Sequence, residues 1–187
     1  GERVVTDRER GRAILARQFL LERSRLSLPR VLEQVAGIQA QYAPSMYVGL
    51  WSRMAGFDRD ALTAALHRRT VVQGTLLRAT IHLVSARDYW PFTMAIRDRR
   101  REWFLRATRP GPDLATLTQA AEQVRALGNA TLDRRALEDL VAPAGPAAVG
   151  MLVDLVRVPP SGTWERRRAD LFALAESWLG PPTATEQ

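Results

Sequence analysis

Two β-prone runs constrain this chain most. Val71-Val72-Gln73-Gly74-Thr75-Leu76-Leu77 and Thr80-Ile81-His82-Leu83-Val84 are separated only by Arg78-Ala79, the spacing of a two-strand ribbon. On the second run Thr80, His82 and Val84 share one face, and Ile81 and Leu83 the other. The residues ahead of the ribbon have helical spacing. Between Asp7 and Glu22 the apolar residues Ile14, Leu15, Phe19 and Leu20 alternate with Arg10, Arg12 and Arg17 at helical intervals, and Asp7 suits an N-cap. Pro29 suits the first turn of a second helix, from Arg30 to about Gly37. Ala43-Pro44-Ser45 carries a turn signal. A third helix is predicted from Asp58 or Asp60 through Leu62, Ala65 and Leu66.

Three short helices followed by a ribbon is the element order of a winged helix-turn-helix. Beyond it, Asp88 is placed to cap a long helix in which Arg97, Arg99, Arg100, Arg101 and Arg106 interleave with Trp90, Phe92, Trp103 and Phe104. Arg109-Pro110-Gly111-Pro112 breaks that helix. The second half follows the same grammar. One helix runs from Asp113 to Leu127 and stops at Gly128-Asn129. Another runs from Arg134 to Val141, capped by Thr131 or Asp133. Ala147 to Val158 reads as a helix passing into a strand, Pro159-Pro160-Ser161-Gly162 as a turn, and Thr163-Trp164 as the start of the return strand. A last helix carries Leu171, Phe172, Leu174, Ala175 and Trp178. The predicted fold class is mainly α with short β-ribbons (α+β), built as tandem winged helix-turn-helix units. Residues 1–109 form the first unit with its long following helix, 110–182 the second, and 183–187 a tail.

Composition narrows the function. The hydrophobic fraction of 46% and charged fraction of 25% are those of a chain that buries a core. Without cysteine there is no disulfide framework, thiolate zinc site or cysteine nucleophile. Two histidines, His67 and His82, are too few for a histidine-rich metal cluster. No apolar run approaches the roughly 18–20 residues of a membrane span. The expectation is a soluble, cytoplasmic monomer with no metal or organic cofactor. All 27 basic residues are Arg, which coding bias toward GC-rich codons explains, but that bias does not explain a net charge of +7. The positive excess points to a polyanion, most simply nucleic acid.

Four segments together carry a resemblance. They are Gly37-Ile38-Gln39-Ala40-Gln41-Tyr42-Ala43-Pro44-Ser45, Leu77-Arg78-Ala79-Thr80-Ile81-His82-Leu83-Val84-Ser85-Ala86-Arg87-Asp88-Tyr89, Val156-Arg157-Val158-Pro159-Pro160-Ser161-Gly162-Thr163-Trp164, and Ala175-Glu176-Ser177-Trp178-Leu179-Gly180. In this order the chain resembles the AlkZ/YcaQ-type DNA glycosylases, a bacterial winged-helix family, over about the first half of a typical member. The resemblance implies hydrolysis of the N-glycosidic bond of alkylated (N7-substituted) or crosslinked purines in double-stranded DNA. It also implies that the catalytic signature is Gln39-Ala40-Gln41. The other branch has an aspartate at the second position; Gln41 matches the AlkZ-like branch, associated with bulky alkylating natural products. The alternative is a non-catalytic winged-helix DNA-binding or regulatory module.

An N7-alkylated purine is already cationic and leaves as a neutral base. The enzyme needs mainly to hold the lesion, stabilise oxocarbenium-like charge and place a water. A carboxamide is a poor general base but offers one carbonyl acceptor and two N–H donors. In an extended segment residues two apart emerge on one side, so Gln39 and Gln41 would converge while Ala40 points away. The alternative for the pair is helix capping or plain solvation. His82 is either a packed strand residue or a DNA contact, with Arg78 and Thr80 flanking it in the family pattern. Arg166, Arg167 and Arg168 are phosphate-contact candidates because the guanidinium fork fits phosphate. The Arg97–Arg101 run is as readily a solvated face pairing with Asp98 and Glu102. Tyr42, beside Gln41, is the aromatic candidate for an extruded base; Trp51, Tyr89, Trp90, Trp103 and Trp164 read as core.

Overall fold

The computed structural model describes residues 4–107, 111–142 and 144–183. Helix α1 (Asp7–Arg17) stands ahead of the rest and buries none of its residues. Its cap is Thr6, one residue earlier than expected. Thr6 and Glu9 exchange side-chain and backbone hydrogen bonds in a capping box. The first half continues with α2 (Leu28–Val35), β1 (Ile38–Gln39), α3 (Ala43–Trp51), α4 (Arg59–His67), β2 (Val71–Thr75), β3 (Ile81–Ser85) and α5 (Ala86–Ala107). The turn expected at Ala43-Pro44-Ser45 is instead the first turn of α3, where proline needs no N–H. The cap of α5 is Ser85, whose hydroxyl accepts from the Asp88 N–H.

The second half gives α6 (Leu114–Arg125), β4 (Leu132–Asp133), α7 (Arg134–Leu140), α8 (Pro146–Val149), β5 (Leu155–Arg157), β6 (Leu171–Leu174) and α9 (Ala175–Leu179). Asp113 and Asp133 cap α6 and α7 through their carboxylates. The return strand begins at Leu171, not at Thr163-Trp164. The last helix accordingly starts at Ala175, because Leu171 to Leu174 pair as a strand. A four-residue apolar run fits either period until a partner strand decides it. Arg109 and Pro110 of the expected break, Pro143, and residues 184–187 of the tail lie outside the described residues.

The strands form one antiparallel sheet in the order β1-β3-β2-β5-β6-β4. The two halves contribute the same sequence of elements. In each, a two-residue strand pairs with the second strand of the ribbon, β1 with β3 and β4 with β6. The first ribbon strands, β2 and β5, meet at the centre. One row crosses the whole sheet: Ile38, Leu83, Gln73, Arg157, Phe172, Leu132. Read from either end it is the same row. Ile38 therefore corresponds to Leu132, Leu83 to Phe172 and Gln73 to Arg157, in an approximate two-fold relation.

Alternation along the strands supplies two faces. On one, Val71, Ile81 and Leu83 pack under α2, α3 and α4 with Leu32, Met46, Leu50 and Leu62. Beside them on that face, Phe172 and Leu174 pack under α6, α7 and α8 with Ala121, Leu137 and Val149. On the other face, Val72, Val84, Val156 and Ala173 pack under α5 and α9 with Tyr89, Trp90 and Trp178. This third core is common to both halves. No helix of the described residues is long and apolar enough to cross a membrane.

Candidate functional site

The segment between β1 and α3 is one place where the two halves differ. In the second half β4 passes directly into α7, since Asp133 both ends the strand and caps the helix. In the first half Ala40, Gln41 and Tyr42 intervene. Ala40 is fully buried, whereas Gln39, Gln41 and Tyr42 are exposed. The two glutamines are thus exposed on either side of a buried alanine in the chain.

Gln39 pairs with His82 across β1 and β3 and makes no hydrogen bond among the described residues. The pairing runs one residue further, with the Ala40 N–H donating to the Ile81 carbonyl at 2.7 Å. The Ile81 N–H instead donates to Gln41 Oε1 at 3.1 Å. The Gln41 carboxamide occupies the place that a main-chain carbonyl takes in an unbroken ladder. That bond fixes the orientation of the carboxamide. Its two N–H donors have no protein partner among the described residues.

His82 lies on the same sheet face as Gln39 and is 5% exposed. Its Nδ1 lies 3.0 Å from the Thr80 carbonyl, which can only accept, so Nδ1 carries a proton. Thr80 in turn donates its hydroxyl to the Leu77 carbonyl. Arg78 is exposed at the tip of the β2–β3 turn, in a left-handed conformation with φ 55°.

Arg166, Arg167 and Arg168 lie within the β5–β6 connection, residues 158–170. Arg166 reaches Asp170 at 3.2 Å and Arg168 reaches it at 4.0 Å. Arg167 instead donates to the Tyr42 hydroxyl at 3.2 Å, which joins the arginine run to the glutamine segment across the two halves. Side-chain contacts hold this loop in place. Ser161 Oγ accepts from the Asp170 and Leu171 N–H groups. The Trp164 ring meets Tyr47 edge-on at 5.6 Å. Gln73, fully buried in the central row, donates from Nε2 to the Gly162 carbonyl at 2.8 Å.

Gln73 was invisible as a functional residue in the sequence, though a carboxamide inside Val71-Val72-Gln73-Gly74 is a signal that something polar faces it. Gly162 has φ +70°, and a Cβ there would come within 2.8 Å of Gln73 Nε2 and 3.1 Å of Ala169 Cβ. Gly162→Ala is therefore expected to cost more than Gly128→Ala, a left-handed glycine (φ +57°) facing open space. The backbone penalty alone is about 1–2 kcal/mol at each. Equal melting temperatures for the two variants would show that the Gln73–Gly162 contact does not hold the loop.

Other aromatics divide as burial dictates. Tyr89 and Trp90 are core, Trp164 packs on core, and Tyr42, Trp51 and Trp103 are exposed, with Arg23 stacked 4.5 Å over Trp51. In the Arg97–Arg101 run, Arg97 and Arg100 face inward onto Asp154, at 2.6 and 3.4 Å. Arg99 and Arg101 face solvent. His67 sits in the last turn of α4, an end of the helix that favours basic side chains.

The fold and this segment can be set beside known proteins. A comparison with curated protein sequences finds no match. The solved structure of Streptomyces sahachiroi DNA glycosylase AlkZ superposes with a TM-score of 0.69 at 19% identity, over 89% of this chain and 48% of that one. The chain thus spans about half the length of that protein, and at this identity the likeness is one of fold. The family description "DNA glycosylase AlkZ-like" matches residues 32–187, which takes in both ribbons, the glutamine segment and the arginine loop. By that match the chain belongs to the AlkZ-like DNA glycosylase family.

Proposed function

We propose that this chain supplies the DNA-binding and catalytic surface of a glycosylase that hydrolyses the N-glycosidic bond of N7-alkylated or crosslinked purines. Its two halves are read as tandem winged-helix units, 1–109 and 110–182. Double-stranded DNA is the partner, and the chain acts as a monomer without a cofactor. The observation that carries this reading is the exposed pair Gln39 and Gln41 around buried Ala40, within a chain of this family.

The hydrogen bonding of the pair supports a division of labour. Gln41 Oε1 accepts from Ile81, which fixes the carboxamide and leaves both of its N–H donors for the substrate or the water. Gln39 has its carbonyl free to accept a proton of the attacking water. Neither amide abstracts that proton in the ground state. Their contribution is placement of the water and dipoles fixed in advance of the charge that develops on the sugar. Arg167 and Tyr42 lie beside this segment, where a DNA phosphate and an extruded base would be met.

Duplex DNA treated with a methylating agent tests the reading. Release of N7-methylguanine, followed by chromatography, is expected, and its absence while DNA binding persists would favour the non-catalytic binding module. The net charge of +7 serves that second reading equally well. Arg167→Ala is expected to weaken binding to every duplex sequence alike and to reduce the slope of log K against log salt by about 1. An unchanged slope would remove Arg167 from the phosphate contacts.

A further inference from the structure

The two-fold relation has a second mismatch, at the centre of the sheet. Gln73 and Arg157 are counterparts in the central row. The long β5–β6 connection, residues 158–170, reaches Gln73 through Gly162 and packs Trp164 on the first-half core. The β2–β3 connection, residues 76–80, is too short to do the same for Arg157. In place of a covering loop there is a cavity of about 310 Å³ between α5, α7, α8 and the central strands.

Its lining combines apolar side chains, among them Phe104, Leu137 and Met151, with basic ones. Arg100, Arg134 and Arg157 line it against a single carboxylate, Asp154, which Arg97 and Arg100 already share. Arg134 pairs with Glu138 at 3.3 Å. Arg157 has no carboxylate partner among the described residues. Its Nη1 donates to Thr75 Oγ1 at 2.9 Å, its guanidinium lies 5.4 Å from the centre of the Phe172 ring, and its Nε is buried without an acceptor. Burial, with Arg134 nearby, lowers its pKa to about 10. A buried cation without a counter-charge is costly.

We infer that this cavity is a binding site for a small aromatic anion, whose carboxylate or phosphate oxygens meet Arg157 and whose ring lies among Phe104, Leu137 and Met151. The first half shows what such a site accepts: an acceptor oxygen, from Gly162, on the polar side chain, and a flat ring, Trp164, from the same loop packed on the core with Tyr47. A dry cavity of about 150 Å³ holds benzene, so this one has room for a ring and its anionic head.

Thermal melts at constant ionic strength test the inference, with phenyl phosphate, benzoate and inorganic phosphate as probes. At about 100 times its Kd, phenyl phosphate or benzoate is expected to raise the melting temperature by about 5–10 °C. Inorganic phosphate is expected to do much less, and an equal rise would overturn the aromatic assignment. Arg157→Met removes the charge, and Ala147→Trp fills the cavity from its exposed rim while leaving Arg157 in place. Both are expected to abolish the rise; if Arg157→Met does not fold, Ala147→Trp decides alone. No rise in the unaltered protein, or the same rise in Ala147→Trp, overturns the site. Loss of duplex DNA binding in Ala147→Trp would likewise overturn it, by making the cavity part of the DNA surface.

Discussion

Release of N7-alkylguanine is expected to fall by about 10²–10³-fold when Gln39 and Gln41 are both replaced by alanine, with duplex binding retained. Both side chains are exposed, so the fold loses little. The bond from the Ile81 N–H to Gln41 Oε1 is the one contact removed, worth about 0.5–1.5 kcal/mol. Circular dichroism and a melting curve separate that small loss from a catalytic one. A sharper variant follows from the division of labour between the two amides. In Gln41→Glu a carboxylate oxygen still accepts from Ile81, but both N–H donors are gone. If Gln41 acts by donating, Gln41→Glu is as slow as Gln41→Ala although its strand contact survives. Gln41→Glu turning over at the unaltered rate would end the donor assignment, and an unimpaired double alanine variant would end the catalytic one.

Much of this arrangement was legible in the residues, for identifiable reasons. The β2–β3 ribbon declared itself because two β-prone runs flank a short connection. Asp58, Asp113 and Asp133 marked helix starts because a carboxylate there accepts a first-turn N–H, whereas the same signal at Asp7 and Asp88 misplaced the caps, which are Thr6 and Ser85. The alternation of Gln39, Ala40 and Gln41 followed from the pleat. The two-residue strands β1 and β4 were not legible, since no periodicity can show in so short a piece. They are defined by the partner they meet, β3 or β6. The joining of β2 to β5 was hidden for the same reason, although it sets the roles of Gln73 and Arg157. Reading Arg97 to Arg101 as a run concealed that consecutive helix positions face different ways. Two of those guanidinium groups point into the protein and two away from it.

The inward pair leads to the largest expected effect on stability. Asp154→Ala is expected to destabilise the protein by about 3 kcal/mol, the lower end of the cost of breaking a buried ion pair. Arg100 is 8% exposed in its side chain and would be left as a buried cation. It keeps the Thr75 and Gly150 carbonyls as acceptors, at 2.8 and 3.1 Å, which is why the upper end is not reached. Arg97 is more than a third exposed, so solvent screens its share, and Arg97→Ala should cost under about 1 kcal/mol. In a chain of this length the Asp154→Ala loss corresponds to a fall in melting temperature of about 6–12 °C. The position makes the loss matter, because β2 and β5 are joined by only two residue pairs, Gln73 with Arg157 and Gly74 with Val156. Arg97 and Arg100 on α5 and Asp154 ahead of β5 reinforce that narrow join from the side. Pairing Asp154→Leu with Arg100→Met removes both charges at once and should recover most of the stability. If the single variant melts within about 2 °C of the unaltered protein, or the double variant is no better than the single, the network does not bind the two halves together.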